Sequence, residues 1–393
     1  MVIHNKIRQK PVILFHVTTV PQTLNFFRGQ IAFIKERGFE IHAVSSPGVM
    51  LQEAEARESI PVYPVAMPRR ISLIADLKAL YQLYRLFRRY HPDIVHAHTP
   101  KGGLLGVLAA RLARVPIVIY TMRGLPYITA TGLKQKILIS TETLACRLAD
   151  RVLAVSFSLR QRAVAMKFCP GEKIRVLGCG SSNGVEAKSR FNPERINPDA
   201  RRTIRNLYEI PLDALVIGYV GRIVRDKGMV ELGEAWQRLR TAFPDLYLML
   251  IGPLEPQDPI PQILLKQWQD DPRVVFTGRI KDMVPYYAAI NVLVLPTYRE
   301  GFPNTPLEAA AMELPVVATQ VDGCVDAVVD GVTGLLVPPG DRAALAQAIA
   351  QLLLNPEQRQ QMGNMGRQRV LRDFRPEVIW QGLYETYVDL LHS

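Results

Sequence analysis

Glu300 and Glu308 stand with seven residues between them in the window Arg299–Leu314, REGFPNTPLEAAAMEL. The apolar run before it, Asn291–Leu295, reads as a strand, and the window itself opens a helix. Gly301 removes a side chain where backbone would approach a ligand. Pro306 suits a first helical position, which makes Thr305 the N-cap and Thr305 with Glu308 a capping box. A strand, a glycine turn and a fresh helix N-terminus supply orphan N–H donors and the positive end of a helix dipole to an anion. Carboxylates on both sides of such a site accept hydrogen bonds from hydroxyls. That combination suits a diphosphate with ribose at one end and hexose at the other. The plainer alternative is a helix cap at Glu308 and a loop charge at Glu300.

Upstream, Gly221–Gly228, GRIVRDKG, joins the strand Leu215–Val220 to another helix. Arg222 and Lys227 there are partners for a diphosphate, Arg as a planar fork and Lys as a mobile point charge. The alternative is a solvated basic turn. The cations and carboxylates need rigid elements to hold them, and the chain supplies two sets. In the first half, strands are read at Val12–Val17, Glu40–Ser45, Val62–Val65, Asp93–Ala97, Ile117–Thr121, Arg151–Ser156 and Lys173–Leu177. Helices between them include Leu24–Arg37, Gly103–Ala113 and Lys134–Ala149. In the second half, Leu215–Val220, Leu246–Ile251, Val274–Phe276, Val292–Leu295 and Val316–Ala318 are strands, with a further short one in Gly331–Val337. Such alternation argues α/β architecture with parallel sheets covered on both faces.

Ligands of such sheets bind beyond the carboxyl ends of the strands. In the second half this singles out Gly252 and the run Gly278-Arg279-Ile280, where a base could stack or pair with backbone. In the first half it singles out Thr18–Thr23, His96–Gly103 and Thr121–Tyr127. Thr19, His98, Lys101 and Arg123 are the residues there that could meet an acceptor. The stretch 183–211, rich in Gly, Ser, Asn and Pro, reads as the interdomain linker.

At 393 residues the chain is long enough for two domains or three, and 48% hydrophobic with 21% charged residues describes a full core. The four cysteines share no C-x-x-C spacing and no histidine cluster accompanies them, so neither zinc nor a disulfide frame is indicated. No membrane span and no signal peptide are read, which makes the cytoplasm the default. Charge is unevenly spread: residues 1–200 hold 29 Lys and Arg against 13 Asp and Glu, and the rest 19 against 23. A basic first half implies an anionic partner. Lys6, Arg8, Lys10, Arg69 and Arg70 contribute. So does the helix Leu73–Tyr90, where Leu73, Leu77, Leu80, Tyr84 and Phe87 form an apolar stripe and Lys78, Arg85, Arg88 and Arg89 lie off it. An anionic lipid surface fits that helix, as does an ordinary buried face. No interleaved aromatic and basic platform marks a nucleic-acid binder.

The two windows together resemble the retaining glycosyltransferases of family 4, which have the GT-B fold. The resemblance implies two Rossmann-like parallel-sheet domains facing a central cleft. The first, 1–190, would bind the acceptor and be joined by a helix at 376–393; the second, 200–375, would bind a nucleotide sugar. It implies that Arg222 and Lys227 hold the donor diphosphate, that Glu300 contacts the donor sugar and that Glu308 contacts the ribose. Gly221, Gly252, Arg279, Ile280, Gly301, Phe302, Pro303, Asn304 and Thr305 would line the donor. GSSNGV, from Gly180, is similar to the family's N-G-V segment, and TYREGFPNTPLEAAAMELPVVAT is similar to enzymes that extend lipid-linked oligosaccharides for capsules, exopolysaccharides or O-antigens. The implied donor is a UDP-hexose or UDP-N-acetylhexosamine, the acceptor is polyprenyl-diphosphate-linked, and the place of work is the inner face of the cytoplasmic membrane. No D-x-D pair is present, so no cofactor or metal is expected. The chain departs from the family at Arg123, where many members carry His in a T-x-H-G pattern, which suggests an anionic acceptor group. It also lacks the early glycine-rich loop, having Thr18–Thr23 instead. Three alternatives are a GT-B nucleotide-sugar 2-epimerase, a dinucleotide oxidoreductase, which would need G-x-G-x-x-G, and a nucleic-acid-binding protein.

Overall fold

A computed structural model describes residues 10–68, 70–256 and 258–393. Lys6, Arg8 and Arg69, which carry part of the basic character of the first half, lie outside the described residues. The runs of Val, Ile and Leu become two sheets. The first contains β1 (Val12–Val17), β2 (Phe39–Ser45), β3 (Val62–Pro64), β4 (Ile94–His98), β5 (Ile117–Met122), β6 (Arg151–Ala154) and β7 (Ile174–Arg175). The second contains β8 (Leu215–Val220), β9 (Leu246–Ile251), β10 (Val274–Gly278), β11 (Val292–Leu295), β12 (Val316–Thr319) and β13 (Gly334–Val337). Their spatial orders are β3-β2-β1-β4-β5-β6-β7 and β10-β9-β8-β11-β12-β13, with parallel pairing throughout. Each order runs outward in both directions from one adjacent pair, β1/β4 and β8/β11. At such a switch point successive crossovers leave on opposite faces, so the loops diverge and open a crevice at the carboxyl ends of the two strands.

The chain divides into unit 1, Met1–Leu177 with Glu377–Ser393, and unit 2, Gly178–Pro376. The division falls ahead of the stretch 183–211 read as a linker, because that stretch packs inside unit 2. The Val185 amide donates to the Phe374 carbonyl at 2.8 Å, and the Phe191 ring meets Tyr287 edge-on. The fully buried Arg205 donates to the carbonyls of Ala289, Pro211, Leu212 and Ala214 and to the Asn291 side chain, at 2.7–3.1 Å. Its charge is spread over five acceptors, which lets a guanidinium stand in place of a longer hydrophobic contact.

In unit 1 the helix Pro376–His392 returns to the first sheet. Leu383 and Tyr387 enter the same core as Leu14, Ile31, Ile34 and Ile41. Trp380 of that helix explains why the helix read at Leu24–Arg37 is interrupted. The segment splits into a 3-10 helix, Pro21–Phe27, and an α-helix, Gln30–Lys35. Gly29 between them has φ 74°, and a Cβ there would strike the Trp380 ring at 2.5 Å.

The helix Leu73–Tyr90 also differs from its sequence reading. Its buried face is Ala79, Leu83 and Phe87, whereas Leu73 and Leu77 are exposed, together with Ile71, Ile74 and Tyr81. The helix seats its later turns on unit 1 and leaves an apolar first part facing outward. Among the described residues no helix is long and apolar enough to cross a membrane.

Beneath the sheet, Glu142 is buried and accepts a hydrogen bond from the Tyr120 hydroxyl at 2.7 Å. Burial raises its pKa from 4.5 to about 7, with the Tyr120 bond opposing. Between those values the folded chain holds a proton that the unfolded chain releases. Stability therefore falls as pH rises through that window and levels off above it. Glu142→Gln is expected to be more stable than the parent at pH 8, by up to about 3 kcal/mol, and nearly equal to it at pH 4.5. Urea unfolding at the two pH values checks this.

Candidate functional site

In unit 2 the loops leaving β8 and β11 meet at the switch point. The Tyr219 hydroxyl donates to the Arg222 carbonyl at 2.7 Å and fixes the first turn after β8. A short 3-10 turn, Arg225–Lys227, then reaches Gly228, whose φ is 73°. A Cβ at Gly228 would run into the Pro296 carbonyl of the β11 loop, so only glycine lets the loops touch. Across that contact Asp226 pairs with Arg299 at 2.7 Å and Lys227 pairs with Glu300. The Tyr298 amide donates to the Asp226 carbonyl at 3.0 Å, and the Tyr298 hydroxyl to Glu231 at 2.7 Å. The Arg222 guanidinium, by contrast, has no ion-pair partner among the described residues. Lys227 is thus neutralised on the spot, while the half-exposed Arg222 has no counter-charge among the described residues.

Glu308 is held differently from its sequence reading. The helix is Asn304–Ala311, its N-cap is Pro303, and no side chain caps it. The Thr305–Glu308 capping box does not form, because the helix starts ahead of Thr305 and the Glu308 carboxylate accepts from the Tyr287 hydroxyl at 2.7 Å. Burial raises the Glu308 pKa, and the Tyr287 bond and the nearby Arg190 pull it back. The uncapped first turn keeps its N–H groups and positive dipole end available to an anion. Gly301, Phe302 and Pro303 are buried, with the Phe302 ring centroid 5.6 Å from that of Phe374. Asn304 and Thr305 are half-buried, and Asn304 accepts from Ser181 at 3.5 Å. The Gly221 amide donates to the Ile251 carbonyl at 3.0 Å and Gly252 bridges Gly278, so the ends of β8, β9 and β10 converge through backbone. Arg279, exposed, and Ile280, half-buried, follow β10.

Unit 1 places its polar groups at the β1/β4 switch point. His16 lies opposite His96 in the strand register, and His98 follows two residues on, on the same face. His16 Nδ1 and His98 Nε2 are 3.0 Å apart, and His96 bonds the Tyr387 hydroxyl at 2.7 Å and the Thr121 hydroxyl at 2.6 Å. Burial, then the Arg123 charge, lowers the His16 pKa to about 3. Burial, the neighbouring imidazoles and Arg123 push His96 and His98 well below the usual histidine range. All three rings are therefore neutral near pH 7. The H-A-H run places two rings on one strand face and could have signalled the cluster. His16 joins it only through the β1–β4 register, which the sequence does not display.

The other residues of this edge divide sharply. The Thr19 hydroxyl contacts Thr99 Oγ1 at 2.8 Å and accepts from the Gly102 amide at 2.8 Å. It thereby fills the first turn of the helix Pro100–Leu112. Lys101 is committed to Asp76, at 2.8 and 3.0 Å, and to the Arg70 carbonyl. His98 and Arg123 come together, with Nδ1 and Nη2 3.5 Å apart.

Comparison with known proteins places both halves. Residues 25–180 match the family model "Glycosyl transferase 4-like domain", and residues 214–355 match "Glycosyl transferases group 1". The chain is 37% identical over 374 residues to the capsular polysaccharide biosynthesis glycosyltransferase CapM of Staphylococcus aureus, covering 95% of this chain and 96% of that one. It is 27% identical over 287 residues to the UDP-Gal:alpha-D-GlcNAc-diphosphoundecaprenol alpha-1,3-galactosyltransferase of Escherichia coli, covering 72% of each chain. Its fold is similar to that of Anabaena Alr3699/HepE in complex with UDP, with a TM-score of 0.78 at 19% identity, over 96% of this chain and 100% of that one.

The cap and the buried bond make opposite demands on two side chains. Thr305→Ala is expected to change stability by less than about 0.5 kcal/mol, since no cap is lost. Tyr287→Phe should lower it by about 0.5–1.5 kcal/mol, since the part-buried Glu308 carboxyl loses its hydrogen bond. Equal losses in thermal melts would contradict this arrangement.

Proposed function

The chain is a glycosyltransferase of family 4 with the GT-B fold, and we propose that it moves a hexose or N-acetylhexosamine from a UDP-sugar to a hydroxyl of a polyprenyl-diphosphate-linked glycan. The observation that carries the donor reading is the β8/β11 switch point. Arg222 stands there without a counter-charge among the described residues, beside the Lys227–Glu300 pair and an uncapped helix end. A diphosphate supplies the missing negative charge, and the shift of Lys227 toward it frees Glu300 for sugar hydroxyls. Glu308, oriented by Tyr287, accepts from the ribose. Support comes from Alr3699/HepE, solved with UDP, and from the Escherichia coli relative, whose name specifies a UDP-linked donor and a diphosphoundecaprenol acceptor. The relative CapM supports a role in making a capsule or similar cell-surface polysaccharide.

In the proposed reaction the bond between the anomeric carbon and the diphosphate oxygen breaks. The acceptor hydroxyl forms its new bond on the same face, and its proton passes to the leaving phosphate oxygen, so configuration is retained. Arg222, Lys227 and the helix dipole stabilise the developing charge without a metal. Gly301, Phe302, Pro303, Asn304 and Thr305 shape the passage for sugar and phosphate. UDP at 100 times its dissociation constant should add about 2.7 kcal/mol of stability in metal-free buffer, and Lys227→Ala should abolish the gain. Absence of any gain with UDP, GDP, ADP or dTDP would remove the donor reading. The anomeric configuration of the product, read by NMR, tests retention.

The acceptor reading brings unit 1 to an anionic bilayer. Leu73, Ile74 and Leu77 are 77%, 85% and 65% exposed. Arg70 and Lys78 beside them, and Arg85, Arg88 and Arg89 farther along the helix, are exposed too, while Asp76, the one acid in the helix, is neutralised by Lys101. Apolar side chains inserted at headgroup depth with cations around them bind anionic lipid, at about 1 kcal/mol per cation near the surface. Replacing Leu73, Ile74 and Leu77 by Ser is expected to reduce binding to phosphatidylglycerol vesicles at least tenfold. Unchanged binding, or no wild-type binding at all, would remove the membrane from this reading.

A further inference from the structure

Among the described residues of unit 1, Arg123 is an enclosed cation with no carboxylate paired to it. Arg123 follows β5 directly, and its Nε and Nη1 are enclosed without a hydrogen-bond partner. Its Nη2 makes only the long 3.5 Å approach to His98. The guanidinium carbon lies 5.4 Å from the ring centroids of both Phe26 and Phe27, a cation–π setting that supplies no counter-charge. Burial lowers the Arg123 pKa only to about 10, so the group stays charged. An enclosed charge without a partner costs several kcal/mol. Two other arginines avoid that cost: the fully buried Arg205 reaches five acceptors, and the half-buried Arg367 reaches Phe191, Asn192 and Ala311.

The groups around Arg123 point to the sign of what is missing. The ring nitrogens of His16, His96 and His98 lie within 4.8 Å of one another, a spacing that could hold a metal ion. A divalent cation there would face the guanidinium. His16 and His98 are also already bonded to each other, and both nitrogens of His96 are occupied. Three neutral imidazoles beside a positive fork make a setting for an oxyanion. Lys101, the other cation of this edge, is satisfied by Asp76 and does not compete.

We propose that Arg123, with His98 beside it, forms a subsite for an oxyanion, a carboxylate or phosphate, on the substrate that unit 1 holds. The anion accepts from the guanidinium fork. Phe26, 37% exposed and lying against the guanidinium, turns aside to admit it. That the anion belongs to the acceptor rests on the glycosyltransferase reading; that an oxyanion binds does not. Two sources carry this chemistry, an acidic sugar residue of the glycan and the diphosphate of a lipid carrier.

Calorimetric titration with methyl β-glucuronide, geranyl diphosphate and neutral methyl β-glucoside separates them. It is run on the full chain carrying Lys227→Ala, so that a diphosphate does not report the other unit. Arg123→Gln in that background should weaken the binding anion on the order of 10- to 100-fold. Its melting temperature should equal or exceed the parent's, because an uncompensated charge is gone. Phe26→Ala should bind the anion at least as tightly as the parent. Glucuronide alone assigns the subsite to an acidic sugar, geranyl diphosphate alone assigns it to the carrier, and both together define a general oxyanion site. Binding of neither, or anion affinity unchanged by Arg123→Gln, overturns the proposal. A positive result here, with no nucleoside diphosphate bound by the chain that keeps Lys227, would leave the subsite standing and the donor reading fallen.

Discussion

A parallel sheet covered on both faces has no room for polar chemistry except at its ends, and this constraint organises both units. Where the order of strands reverses, helices on opposite faces pull the outgoing loops apart, and the backbone groups there have no ladder to join. The chain spends those positions on its unusual residues. At β8/β11 they are the crossed pairs Asp226–Arg299 and Lys227–Glu300. At β1/β4 they are three imidazoles, two threonine hydroxyls and, one strand away, a guanidinium. Neither set is exotic in composition. Its position is what concentrates charge where water is thin and a ligand can displace it.

The two sites handle that charge in different ways. In unit 2 the cation that faces a carboxylate is already paired: Lys227 and Glu300 satisfy each other across the loops, and under the proposed donor reading a ligand that separates them gains both an ammonium and an acceptor. In unit 1 the carboxylate of Asp76 is paired with Lys101. The site is therefore electrostatically open on the positive side, consistent with the excess of Lys and Arg in residues 1–200.

Much of this was legible in the residues. Runs such as VILFHV and LVIGYV gave strand positions to within a residue or two, and the glycines and cations of GRIVRDKG marked the β8 loop. What escaped was set by groups far away in sequence. The break at Gly29 depends on Trp380, the absent cap at Thr305 depends on Tyr287, and the cluster at His98 depends on the register of β1 against β4. The stretch 183–211 has a linker's composition, but Arg205 and Phe191 fasten it to unit 2. The outward face of the helix Leu73–Tyr90 is instructive in another way. The stripe read at Leu73, Leu77, Leu80, Tyr84 and Phe87 shares only Phe87 with the buried set Ala79, Leu83 and Phe87, because periodicity alone does not say which apolar residues find a protein partner.

The helix Pro376–His392 has a consequence for the order in which the chain acquires its structure. Tyr387 bonds His96 and sits with Leu383 in the core of unit 1, so that core is incomplete until residues on the far side of unit 2 exist. During synthesis the earlier part of a chain generally folds first. Here the first sheet must wait on the ribosome for its closing helix, while the whole of unit 2, contiguous in sequence, can settle before it. The nascent first unit would spend that interval with Gly29 and the core face of Leu14 and Ile41 uncovered, and a segment made after all of unit 2 would be the one that locks it.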